Sequence, residues 1–221
     1  MPLCPTPKKP KQTELLDAHS ILSRAIDSAE SFFSAFNQVR SARSAKGTPT
    51  DHEQDLLRAA LLFAAAGLDS MVKQLIRDAL PNVIENDEGA RQQFSDYVQT
   101  KINKNNSFDT KLITFALLSD HPKFYFRSEL IKELTGSSLQ SKDQILRAAA
   151  YFAIPADEIT SHPNKLKIVF DSRNQIAHEM DVLLGQINRS RRSRAFNTMH
   201  DYTTYILKIS IAFYVAVEKR I

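Results

Sequence analysis

The stretch Ala59-Ala-Leu-Leu-Phe-Ala-Ala-Ala-Gly-Leu68 decides the fold. It sits inside a longer helical pattern from about Asp51 to Leu80. A helix that is apolar on nearly every side must be covered on most faces, so this one is expected at the centre of a helical bundle. The run is also far shorter than the roughly 20 residues that span a bilayer, which argues for core rather than membrane. Gly47 and Pro49 punctuate the segment before it, Thr50 or Asp51 suits its N-cap, and Pro81 is expected to end it.

Working outward, Leu15, Leu16, Ile21, Leu22, Ile26, Phe32, Phe33 and Phe36 recur at helical spacing and predict a helix over 13–43. Ahead of it, "MPLCPTPKKPKQ" (1–12) has four prolines and no apolar period, and reads as a disordered basic tail. Shorter helices are expected at about 88–102, 110–118, 122–135 and 141–153. Pro163 suits the first turn of a helix running to about Leu184, where Gly185 stops it. A last helix covers about 195–220. No segment has a sustained strand period. The expected fold is all-α: an antiparallel four-helix bundle of the long helices, with 81–155 as an inserted region of short helices and 13–221 as one domain.

Composition narrows the function classes. A chain of 221 residues buries a sizeable core, and 43% apolar with 24% charged residues is ordinary for a soluble protein. The single cysteine, Cys4, cannot close an internal disulfide, which points to a reducing, cytoplasmic setting. The chain does not open with a signal-peptide pattern, and no membrane association is expected. The net charge of +4 permits a polyanionic partner without demanding one. There is no HExxH, no zinc-spaced Cys or His pair, no glycine-rich phosphate loop and no GxSxG, so neither metal nor other cofactor is expected.

The polar signal lies in "DSRNQIAHEM" (171–180), within the penultimate helix. Leu166, Val169, Phe170, Ile176, Ala177, Met180 and Leu184 form an apolar stripe, and Arg173 falls near its centre. A charge there is costly unless paired or hydrogen-bonded. Asn174 lies one turn before His178, on the same face. Three readings stand. Arg173 forms a salt bridge and His178 is solvated; or Ser172 and Gln175 make a capping box at a helix break; or Arg173 and His178 form a phosphodiester site.

Arg173-Asn174-Gln-Ile-Ala-His178 resembles the signature of the HEPN superfamily, helical-bundle proteins many of which are metal-independent endoribonucleases. Residues 61–81 and 168–181 are similar in style to the subgroup named RiboL-PSP-HEPN. The resemblance implies Arg173, His178 and Asn174 as catalytic residues, and RNA as substrate, cut to 2′,3′-cyclic phosphate and 5′-OH ends. It also implies a symmetric homodimer and a role as a toxin or antiphage effector, with an antitoxin protein as a possible partner. The rival expectations are a non-catalytic RNA- or nucleotide-binding module and a helical protein-interaction module.

Other polar features accompany the motif. "NRSRRSR" (188–194) carries Arg189, Arg191, Arg192 and Arg194, either as a solvated linker or as an RNA-binding phosphate clamp. Arg194 with His200 is a second Arg-x5-His, lacking the following Asn. Asp69, Lys73 and Arg77 read as a solvated edge in preference to a cleft. Phe124, Tyr125 and Phe126 read as core in preference to base-stacking residues.

Overall fold

The structure is a computed structural model that describes residues 3–44, 46–103, 110–185 and 187–221. It is all-α. A 3-10 turn, Thr13–Leu15, leads into α1 (Leu16–Ala42), followed by α2 (Asp51–Asp78), α3 (Leu80–Asn86), α4 (Glu88–Ile102), α5 (Thr110–Leu118), α6 (Pro122–Thr135), α7 (Lys142–Tyr151), α8 (Ala156–Ile159), α9 (Pro163–Glu179) and α10 (Phe196–Glu218). Among the described residues the one β-type contact is an isolated bridge between Val182 and Arg191.

α2 is the centre, as its apolar run requires. α1 and α10 pack along it and α9 adds a lighter seam. Leu57, Leu61, Leu68, Met71, Val72, Leu75 and Ile76 of α2 are fully buried. By length and composition alone α2 would also pass for a membrane span; here its buried face lies against α1 and α10. The cover is not complete, because Phe63 is half exposed and leans on Phe32 of α1 with ring centroids 5.1 Å apart. Gly67 lets α1 and α2 approach closely: a Cβ there would overlap the Cβ of Ala25.

Thr50 caps α2 with a full capping box. Glu53 N donates to Thr50 Oγ1 and Thr50 N donates to Glu53 Oε2 at 2.7 Å. Arg40 and Arg43 from the end of α1 also converge on the buried Glu53 carboxylate, tying the α1–α2 turn to the cap.

Three expectations are corrected. Pro81 does not end α2: the helix stops at Asp78, and Pro81 lies in the first turn of α3, where its missing N–H leaves no bond unmade. α9 stops at Glu179 rather than Leu184. Met180 and Asp181 take left-handed conformations, φ 50° and 61°, and Asp181 turns inward to the buried Arg58, so Met180 and Leu184 end up exposed instead of extending the stripe. Residues 3–12 are non-helical but not loose. Leu3 N donates to Glu30, Cys4 is buried beside Thr204, and His19 Nε2 lies 2.9 Å from the Pro7 carbonyl.

Of the helices in the 81–155 segment, α3 and α6 pack against α2, and α7 touches α9. Of the aromatic trio, Phe126 is buried, Tyr125 is partly buried and Phe124 is exposed.

Candidate functional site

Leu166, Val169, Phe170 and Ile176 bury one face of α9, which sets the rotation of the helix and brings its polar residues to the rim of the core. Arg173 and His178 are five positions apart, about 140° around the helix, yet the long arginine side chain closes that angle. Arg173 Nη1 lies 3.4 Å from His178 Nε2 and donates to Asn174 Oδ1 at 3.1 Å. The expected catalytic trio is therefore one cluster. His178 is exposed, while Arg173 is only partly so.

Arg173 is electrostatically incomplete. Its Nε is buried without a hydrogen-bond partner. Burial pushes its pKa down, and the charge of Asp69 across the α2–α9 seam offsets only part of that. Among the described residues no carboxylate reaches ion-pair distance of it, so the salt-bridge reading does not describe this arginine. The capping-box reading fails as well: Ser172 is buried in mid-helix, with no break beside it.

Two further groups complete the surroundings. Asp69 is not the solvated edge that its spacing suggests: it accepts from Lys73 Nζ at 3.0 Å and from the backbone N of Leu139 at 2.8 Å. That second bond holds the α6–α7 connection, from which Gln140 Oε1 comes within 3.3 Å of His178 Nε2. Gln140 is 38 residues from His178 in sequence, and no local pattern marked it.

The arginine loop differs from a four-fold clamp. Arg191 pairs with Asp55 at 2.7 Å and Arg192 with Glu179 at 3.1 Å. Arg194 grips Asp181 through Nε and Nη2 and also reaches Gln175 Oε1 at 3.0 Å. Arg58 of α2 donates to the same Asp181 at 2.8 Å and to the Arg192 carbonyl at 2.9 Å. These arginines brace the α9–α10 connection because acids from α2 and the end of α9 neutralise them. Arg189 is exposed, at φ 45°. Arg194 and His200 do not form a second site, since His200 packs on Phe33 and Phe196 with ring centroids 5.1 and 5.7 Å away.

The site is an open surface feature. A hollow of about 520 Å³ elsewhere, lined among others by Tyr97, Phe126 and Tyr151, is crossed by Glu133 bonded to Lys101 and Arg147. Among the described residues no three His, Cys, Asp or Glu side chains converge as metal ligands. What the Arg173–His178 cluster can do is accept an anion on the guanidinium and exchange a proton on the imidazole beside it. No family model, curated protein or solved structure matches the chain.

Proposed function

We propose that this chain is a metal-independent endoribonuclease of the HEPN type, cutting single-stranded RNA. The observation that carries the reading is the 3.4 Å approach of Arg173 Nη1 to His178 Nε2, in a guanidinium that is partly desolvated and has no carboxylate of its own. RNA supplies its own nucleophile, so the protein has only to move a proton and stabilise charge. His178 takes the 2′-OH proton, the 2′ oxygen bonds to phosphorus, and the P–O5′ bond breaks. The departing 5′ oxygen receives a proton, leaving a 2′,3′-cyclic phosphate and a 5′-OH. Arg173 bears on the phosphate oxygens as their negative charge grows, and Asn174 fixes the arginine from the side. The working form is a cytosolic homodimer built on the α1, α2, α9 and α10 bundle, acting as a toxin or antiphage effector, with an antitoxin protein as its regulator.

The second reading is a protein-interaction module. It draws on the exposed Phe115, Leu117, Leu118 and Phe124 of the α5–α6 arm, an apolar surface that an RNA-cutting site does not require.

One experiment separates them. Purified protein is incubated with single-stranded RNA in EDTA, beside His178→Ala. Cleavage to cyclic-phosphate ends is expected, lowered about 10²–10⁴-fold in the variant with its melting temperature unchanged. Equal cleavage by the variant removes His178 from the mechanism. RNA binding without turnover favours a non-catalytic holding module, and no RNA binding favours the interaction module.

A further inference from the structure

The inserted helices raise a question that the bundle alone does not answer. α3 and α6 pack against α2, yet the loop between α6 and α7 ends on the imidazole of α9. That loop is held at several points. Leu139 is buried and its N–H donates to Asp69 Oδ1 at 2.8 Å. The Gln140 N–H donates to Gln144 Oε1 at 2.8 Å, and Ser141 Oγ caps α7 by accepting from Gln144 N at 3.2 Å. The backbone of Gln140 is thus fixed from both sides, and its side chain projects to His178 Nε2 at 3.3 Å.

The chemistry at that nitrogen is specific. An arginine only donates, so an Nε2 engaged by Arg173 carries no proton. A carbonyl oxygen only accepts, so an Nε2 engaged by Gln140 Oε1 carries one. One nitrogen cannot satisfy both neighbours as they stand. Gln140 resolves the conflict because a half-turn of its carboxamide replaces Oε1 with an N–H donor. With the neutral ring the single lone pair of Nε2 accepts from Arg173 or from the turned carboxamide, and the protonated ring donates to Oε1. A general base that must later return its proton passes through both forms.

We infer that Gln140 is a positioning residue of this site: its carboxamide holds the His178 ring in both protonation states, and the inserted helices serve to deliver it. The inference deepens the ribonuclease reading and rests on it for the word site, while the contact itself is testable without any cleavage. The charged groups on the packed elements, Arg173 on α9 and the Asp69–Lys73 pair on α2, stay in place in the variants, so a change at the ring reports on position 140.

The test follows the His178 ring by NMR titration in the wild type, Gln140→Glu and Gln140→Leu, with His178→Ala assigning the signal. Gln140 lies on a partly exposed loop, and retained folds are checked by melting temperature. Gln140→Glu fixes an anionic acceptor at the ring, and its titration midpoint is expected to rise by about one pH unit. Gln140→Leu is expected to lower kcat about tenfold with KM within about twofold, and Gln140→Glu to move the pH–rate profile in step with its titration. A midpoint in Gln140→Glu that coincides with the wild type overturns the inference, as does full kcat with an unaltered pH profile in Gln140→Leu. If the midpoint moves but the wild type cleaves no RNA, the contact stands and the ribonuclease reading falls. If His178-dependent cleavage is present and the midpoint stays, only the role of Gln140 falls.

Discussion

Arg58 Nε donates to Asp181 Oδ2 at 2.8 Å, joining residues 123 positions apart, with the arginine side chain 3% and the aspartate 0% exposed. This pair decides where α9 ends. It draws Asp181 into the protein two residues after Glu179, and the chain turns left-handed to follow it.

Breaking that pair leaves buried charge behind. Asp181→Ala takes the carboxylate that Arg58 and Arg194 share, leaving Arg58 with Asp55 and Arg194 with Gln175, and is expected to cost about 1–3 kcal/mol, measured by denaturant unfolding. Burial alone pushes the Asp181 carboxyl up, but the bonds from Arg194 and Arg58 outweigh it and hold the pKa below its ordinary value. A depressed carboxyl stabilises the fold fully above the ordinary aspartate range, near pH ~4, and that stability is lost as pH falls through the lower folded value. Asp181→Asn is therefore expected to show a flatter loss of stability on acidification than the wild type. Parallel acid limbs in the two proteins would count against the pair as a source of stability.

Gly67 sits where α2 lies tight against Ala25 of α1. Gly67→Ala drives a methyl group into Ala25, with an expected cost of about 1–3 kcal/mol despite the better helix propensity of alanine. Adding Ala25→Gly to the same chain is expected to recover part of that loss, read as a coupling energy in a double-mutant cycle. Additive losses would mean that the two helices give way elsewhere.

At the site, Arg173→Lys keeps the charge and discards the fork. The lysine ammonium cannot present Nε and two amino groups in one plane, so under the proposed ribonuclease function kcat on RNA is expected to fall about 10²-fold with little change in KM. Steady-state kinetics at saturating RNA checks this; activity within twofold of the wild type would reduce Arg173 to a point charge.

For the loop, internal pairing sets the expectation. Arg191 and Arg192 are engaged by Asp55 and Glu179, so if the chain binds RNA as proposed, replacing them with alanine is expected to leave the salt dependence of that binding unchanged. Arg189→Ala is expected to reduce the slope of log affinity against log salt by about one. A flattened slope in the Arg191 and Arg192 variants would show that RNA displaces the acids.

The sequence alone determined the helices and the local part of the site. Apolar period, Thr50 with Glu53, and the prolines at 122 and 163 act within a few residues, so the elements they mark are visible without a third dimension. Arg173, Asn174 and His178 were legible for the same reason, since a single helix fixes their spacing and an arginine reaches across it. The tertiary structure decided whatever depended on a partner far along the chain. A run of arginines reads alike whether it faces water or three acids, and only folding brings Asp55 and Asp181 to Arg191 and Arg194. The end of α9 moved because a buried charge outweighed the usual glycine stop. Gln140 reached His178 because Asp69 holds the intervening loop, a contact 70 residues long in sequence and carried by one backbone hydrogen bond.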